Sequence, residues 1–227
     1  MIPIRSVLGE KRQALSSRAI DILRGVDTRP DKKLDVQVTS ENRTLGVAYE
    51  PSPWSALRQA MRLAAINAQG MSFVDIGCGK GRVVLAAMAY PFKEIVGIDY
   101  SPILCDIARE NVRSARLLAM RVDPQRVVIV CEDVTQWQRW PPRAVFWFDN
   151  PFRFEITQQV LGVIVACSQL YGTNMVLLFH RMSSSIGQID AVLAAAPPSS
   201  QGRSWRKTVA AANLAPHSSS LNVWAFA

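Results

Sequence analysis

One stretch constrains the fold more than any other: Phe73-Val74-Asp75-Ile76-Gly77-Cys78-Gly79-Lys80-Gly81-Arg82-Val83-Val84-Leu85. It starts as a short apolar run, turns on three glycines spaced one residue apart, and continues with the apolar spacing of a helix. A strand that feeds a helix through glycines makes a tight turn, and the missing Cβ atoms let a ligand approach the main chain. The turn also sets backbone N–H groups and a positive helix end beside a crevice. In an open α/β sheet, the carboxyl end of such a strand is where a ligand sits.

Three further apolar runs end in polar residues. Glu94-Ile95-Val96-Gly97-Ile98 ends in Asp99, 22 residues after Gly77 (99 − 77). That is close to the ~20-residue interval at which a second-strand acid reaches a ribose hydroxyl. Val127 to Val130 leads into Cys131-Glu132-Asp133, and Ala144 to Phe148 leads into Asp149-Asn150-Pro151-Phe152. Helical spacing lies between: Val83 to Tyr90, stopped by Pro91, and a helix capped by Ser101 with Pro102 first, running through Val112. Phe154 to Leu170 reads as another helix, Asn174 to Phe179 as a buried strand, and Ser204 to Ala212 with Leu221 to Ala227 as an antiparallel hairpin. Ala195 to Gly202 is a loop. Alternation of this kind predicts a doubly wound α/β domain with helices on both faces.

The glycine spacing separates two ligand classes. A dinucleotide site uses G-x-G-x-x-G, whereas this chain has G-x-G-x-G with Asp75 two residues ahead. Glycines preceded by an acid, with acids at the next strand ends, resemble the motifs of class I S-adenosylmethionine-dependent methyltransferases. The resemblance covers residues 46 to 180 well and the last strands loosely. It implies a mostly parallel seven-stranded sheet with an antiparallel edge hairpin, and S-adenosyl-L-methionine as cofactor without a metal. It further implies that Gly77, Gly79 and Gly81 let the backbone approach the cofactor, and that Asp75 lies near its amino-acid end. Asp99 would hold the ribose hydroxyls, and Asp133 the adenine amino group beside the N–H of Val134.

Asn150-Pro151-Phe152 resembles the Asn-Pro-Pro-Tyr motif with which some methyltransferases bind a planar nitrogen, though the second proline is missing. By that resemblance Asn150, Pro151 and Phe152 face the acceptor, with Asp149 as a candidate base. Upstream, Tyr49-Glu50-Pro51 resembles a segment that folds over the mouth of the site in a group of bacterial class I methyltransferases. Tyr49 and Glu50 would then close the pocket. Tyr49 as a packing residue is the other reading. Ser52 is placed to cap a helix with Pro53 first and an apolar stripe through Trp54, Leu57, Ala60, Met61, Ala64 and Ala65.

The chain has 227 residues, 49% hydrophobic and 19% charged, with a formal charge of +8. Such a composition is that of a globular protein. The most apolar region, Val160 to Phe179, is interrupted by polar residues and reads as helix then strand, not as a membrane span. Cys78, Cys105, Cys131 and Cys167 lack metal or disulfide spacing, which suggests a reducing, cytoplasmic setting. Arg109, Arg113 and Arg116 form a helical stripe without interleaved aromatics, which favours a solvated face over a nucleic-acid track and leaves open whether the basic charge marks nucleic-acid binding. Trp137 and Trp140 read as packing over the sheet, and His180, alone at a strand end, as structural. Residues 1–45, with a helix from Arg5 to Arg24, form an N-terminal helical extension, and 46–227 form the methyltransferase domain.

The methyl acceptor is not legible; a nitrogen of a protein side chain, nucleic acid or small molecule fits. A non-catalytic cofactor-binding partner module and a nicotinamide-dependent oxidoreductase are the alternatives.

Overall fold

The structure, a computed structural model, describes residues 17–30, 49–116, 123–214 and 219–227. Seven strands form one sheet: β1 (Ser72–Ile76), β2 (Glu94–Asp99), β3 (Val127–Cys131), β4 (Ala144–Asp149), β5 (Met175–His180), β6 (Trp205–Leu214) and β7 (Ser219–Phe226). Their order is β3-β2-β1-β4-β5-β7-β6. The pairs among β1 to β5 are parallel, while β7 runs antiparallel to β5 and β6 antiparallel to β7. The chain leaves β1 toward β2 and β3 on one side and returns to β4 and β5 on the other. The β1/β4 boundary is therefore the switch point, where two chain ends diverge and leave a crevice.

Helices cover both faces. Residues 17–24 are helical (α1). They are followed by α2 (Ala56–Leu63), α3 (Arg82–Ala87), α4 (Pro102–Ser114), α5 (Phe154–Tyr171) and α6 (Ile186–Ala195). Strands covered on both faces are mostly apolar, and all five residues of β1 are buried, Ser72 and Asp75 included. Alternation then sends Val74, Phe146, Phe148, Leu177 and Phe179 into a core under α5 and α6. Phe73, Val145, Trp147 and Leu178 go to the opposite core, under α2 and α3. Phe148 stacks on Phe179 at 4.6 Å, one cross-strand pair of the first core. Trp137 and Trp140 are buried edge to face in that core, so they pack as expected.

Two sequence expectations shift. Ser101 does cap α4, its Oγ accepting from Leu104 N. Ser52, however, caps nothing: α2 starts at Ala56 after Ser55, and the Ser52 hydroxyl is drawn to Asp149 instead. No helix was foreseen at Ile186–Ala195, because only Ile189 and Leu193 are buried there, too narrow a stripe to announce it. Most of the Arg5 to Arg24 helix lies outside the described residues.

What is described of the N-terminal segment is bound to the rest of the fold. Arg116 N donates to the Arg24 carbonyl, and the Asn111 carboxamide exchanges hydrogen bonds with the Asp27 backbone. The basic stripe on α4 is partly neutralised locally, Arg109 pairing with Asp106 and Arg113 with Glu110. No described helix is long and apolar enough to cross a membrane.

Candidate active site

The glycine turn after β1 has left-handed backbone at Gly77 (φ 77°), Gly79 (φ 53°) and Gly81 (φ 81°). Space reinforces conformation, since a Cβ on Gly77 would collide with Pro151 and one on Gly79 with the Tyr49 ring. The N–H groups of the turn are committed: Gly77 and Cys78 both donate to the Ile98 carbonyl, and Gly79 donates to Asp99 Oδ2. Those donors are thus spent on β2, and a pyrophosphate, which needs them, has no cradle here. At the start of α3 stands a cation, Arg82, where a phosphate site would keep the helix end for an anion.

Beside this turn a cleft opens between the ends of β1 and β4, with about 1220 Å³ out to its mouth. It brings together Tyr49, Glu50, Asp75, Gly77, Asp99, Asp133, Val134, Asp149, Asn150, Pro151 and Phe152. Gly79 and Gly81, expected to face a cofactor, do not line it. Gly79 lies under Tyr49, and Gly81 lets α4 pack close, a Cβ there coming within 3.2 Å of Ala108. Acids dominate the lining, with Glu132 joining the five acids already named, against two basic residues, Arg82 and Arg181.

The donor-side acids differ in their surroundings. Asp99 accepts from Gly79 N on one oxygen and from Ser101 N on the other, both at 2.9 Å. Its two oxygens are thereby held in fixed directions, and a carboxylate is the acceptor that ribose hydroxyls need. Asp133 folds into a turn, its Oδ1 accepting from the N–H and hydroxyl of Thr135. Asp75 is buried and its Oδ2 has no partner. Burial, then the charges of Asp149 and Asp99, push its carboxyl well above the usual range. A buried acceptor without a donor on the wall of an acid-lined cleft fits a cationic ligand, and so fits the ammonium and sulfonium of S-adenosylmethionine.

The acceptor side is built by long-range contacts. Asp149 takes the Ser52 hydroxyl, Arg181 Nε at 2.6 Å, and lies 2.9 Å from His180 Nδ1. That last approach is off the hydrogen-bonding direction, leaving both ring nitrogens of His180 without a hydrogen bond in a wholly buried ring. Burial pushes the Asp149 carboxyl up, but His180 and Arg181 outweigh it and hold it below the usual range. A carboxylate so occupied and so acidic is a poor base, which speaks against the role expected for Asp149. Asn150 follows with left-handed backbone (φ 49°), a conformation asparagine tolerates. Its carboxamide makes no hydrogen bond among the described residues. Phe152 is buried among the core aromatics while still touching the cleft.

Two residues escaped the sequence reading. Arg82 is buried and donates to the Ser52 carbonyl and to the hydroxyl and carbonyl of Thr28, with Asp21 at 3.5 Å. Asp21 in turn holds Thr28 and the Trp54 indole. Tyr49 donates to the Thr28 carbonyl, so residues 17–30 and 49–52 are bound to one guanidinium. A cation at a helix N-terminus is electrostatically out of place, and that was the available signal. Arg181, which bridges Asp149 and Glu50, gave none.

Residues 73–154 match the Methyltransferase domain family, a span that holds the glycine turn, Asp99, Asp133 and Asn150-Pro151-Phe152. No curated protein matches the chain. Among solved structures, the precorrin-6y C5,15-methyltransferase of Geobacter metallireducens GS-15 aligns over 84% of this chain and 98% of its own, at 11% identity and TM-score 0.54. The magnesium protoporphyrin IX methyltransferase of Synechocystis PCC 6803, with bound S-adenosylmethionine, covers 75% and 77% at 14% identity and TM-score 0.51. The pyocyanin biosynthetic protein PhzM aligns at 20% identity and TM-score 0.51 over 76% of this chain, which spans about half (54%) of that protein's length. At such identities the likeness speaks for the fold. With that likeness in fold, the span from the glycine turn to Asn150-Pro151-Phe152 is similar to a methyltransferase domain, and the acid-lined cleft opens beside it.

Proposed function

We propose that the chain moves the methyl group to a nitrogen of its acceptor, with Asn150 as the residue that presents that nitrogen. The observation that carries this reading is the Asn150 carboxamide, without a partner among the described residues and held on a left-handed turn next to Pro151 in the cleft. A carboxamide oxygen so placed accepts an N–H of the acceptor and turns the nitrogen lone pair toward the donor. Bound S-adenosylmethionine supplies an electrophilic methyl on a sulfonium, whose leaving group is a neutral thioether.

The chain's own residues then do three things. Asp99 and Asp133 hold the nucleoside end, Asp75 accepts from the amino-acid end, and Tyr49, Glu50 and Pro51 exclude water from above. Gly77 and Pro151, in contact across the cleft, fix the distance between donor and acceptor halves. Phe152 packs beneath the acceptor side. Asp149 stays ionised and orients its neighbours, and the proton lost from nitrogen leaves to solvent. An acceptor from proteins, nucleic acids or small molecules leaves this division unaltered, since the donor half is common to all. The cysteines among the described residues are all free, in keeping with a cytoplasmic setting.

The test is Asn150→Ala in the full chain, assayed by labelled-methyl transfer into a cell extract and by calorimetric titration with S-adenosylmethionine. Turnover falls by about a hundredfold or more while cofactor affinity changes less than about threefold. Undiminished transfer by the variant would remove Asn150 from the site.

A further inference from the structure

Asp149 pairs with His180 in the sheet, and the next residue on each strand, Asn150 and Arg181, has positive φ (49° and 55°). Two neighbouring strand ends thus bend at one level. For arginine this backbone is rare, and it persists only where the surroundings hold it.

The guanidinium supplies the hold. Its Nε sits 2.6 Å from Asp149 Oδ1, Nη1 2.7 Å from Glu50 Oε1, and Nη2 donates to the Glu50 carbonyl at 2.9 Å. Three different nitrogens therefore tie the end of β4 to residues 49–52, the segment lying across the glycine turn. Neighbouring residues in that segment have other anchors, Tyr49 on Thr28 and Ser52 on Asp149 and Arg82. Glu50 has only Arg181 among the described residues, and its side chain is 75% exposed.

We propose that Arg181 is the positioning residue that keeps the strap of residues 49–52 closed over the cofactor and, through Asp149, fixes the direction of Asn150. The inference rests on the methyltransferase reading of the cleft and adds a residue that no motif contains. Lysine is no substitute, because one ammonium cannot meet three partners in the plane of a fork.

The probe is S-adenosylhomocysteine, the spent cofactor, bound to the full chain and followed by stopped-flow dissociation. Hydrogen exchange of the peptide spanning residues 49–57 is measured alongside. Arg181→Ala speeds release about tenfold, with association changed less than about twofold, since a broken charge contact acts mainly on the off-rate. Exchange in the strap peptide rises beyond the general rise that follows from leaving buried Asp149 without its guanidinium. Arg181→Lys restores less than half of the effect. Glu50→Ala reproduces a smaller part of it, and the double variant is no worse than Arg181→Ala, because both act through one contact.

Unchanged release and unchanged exchange in Arg181→Ala overturn the proposal, as does full rescue by lysine. If Arg181→Ala does not fold, Glu50→Ala, which removes an exposed side chain, decides by the same two readouts. Should the parent chain bind no S-adenosylhomocysteine, the cofactor reading fails on its own. The exchange comparison then still tells whether Arg181 holds the strap.

Discussion

The two halves of the cleft are held in different ways. On the donor side, at the ends of β1 to β3, the polar partners lie nearer in sequence. Ser101 binds Asp99 two residues away, Thr135 binds Asp133, and the left-handed glycine turn donates to Ile98 and Asp99 on the next strand. On the acceptor side the partners are remote. Ser52 reaches Asp149 across 97 positions, and Arg181 reaches Glu50 across 131. A half built from local bonds forms wherever its strands form. A half built from remote bonds exists only once the whole chain is assembled, and is correspondingly easier to loosen.

The strongest way to break that contrast is Arg82→Ala. Arg82 belongs to the donor-side turn by sequence but holds Thr28, Ser52 and Asp21, the foundations of the acceptor-side wall. Its removal leaves Asp21 buried without its cation, a loss of about 3–5 kcal/mol for a broken buried pair. Chemical denaturation measures the loss, and proteolysis or exchange should locate the loosening in residues 17–30 and 49–57. A uniform loss across the sheet would mean that the two halves are not separately held.

Gly77→Ala is the next largest and strikes where the halves meet. A left-handed backbone costs an L-residue about 1–2 kcal/mol. The methyl also overlaps Pro151, a rigid neighbour, adding an overpacking cost of about 1–3 kcal/mol. Cofactor titration and denaturation of the variant should both register the change. Gly81→Ala carries the same backbone cost against a milder approach to Ala108, so it should be the lesser of the two in stability and spare the cleft.

That contrast also explains what could be read from the chain beforehand. Glycines at Gly77, Gly79 and Gly81, an apolar run, and Asp99 at a set interval are local patterns, and local patterns survive in one dimension. Seven strands and the edge hairpin follow from the same kind of signal. Arg181 next to His180, or Ser52 before Pro53, has no such signature, because the partner of each lies far along the chain. Ser52 shows the limit: its local environment spells a helix cap, and a tertiary contact with Asp149 overrode it. The committed N–H groups of the glycine turn escaped for the same reason, since their acceptors, Ile98 and Asp99, lie on another strand.

Two carboxyls, one from each half, give the smallest effect and the sharpest comparison. Asp75 lacks a partner on one oxygen, and its ionisation is pushed well up by burial and by neighbouring acids. Asp149 is pushed up by burial too, but contacts with His180 and Arg181 bring it below the usual 3.8. A raised carboxyl stabilises the fold below its unfolded value and loses that contribution as pH climbs through the folded one. A depressed carboxyl contributes above its unfolded value and loses it as pH falls through the folded one. The ligand-free protein should therefore lose stability on going from about pH 4 toward neutrality through Asp75, and lose it below about pH 4 through Asp149. Asp75→Asn should flatten the first slope and raise ligand-free stability at pH 7 by about 1 kcal/mol while weakening cofactor binding. Asp149→Asn should leave that slope in place and lower stability at pH 7. Thermal midpoints of the two variants across pH 3 to 8 check both signs. If Asp75→Asn instead destabilises the ligand-free protein at pH 7, the Asp75 carboxylate already has a cation to pair with inside the fold, and the donor half does not wait for its cofactor to complete it.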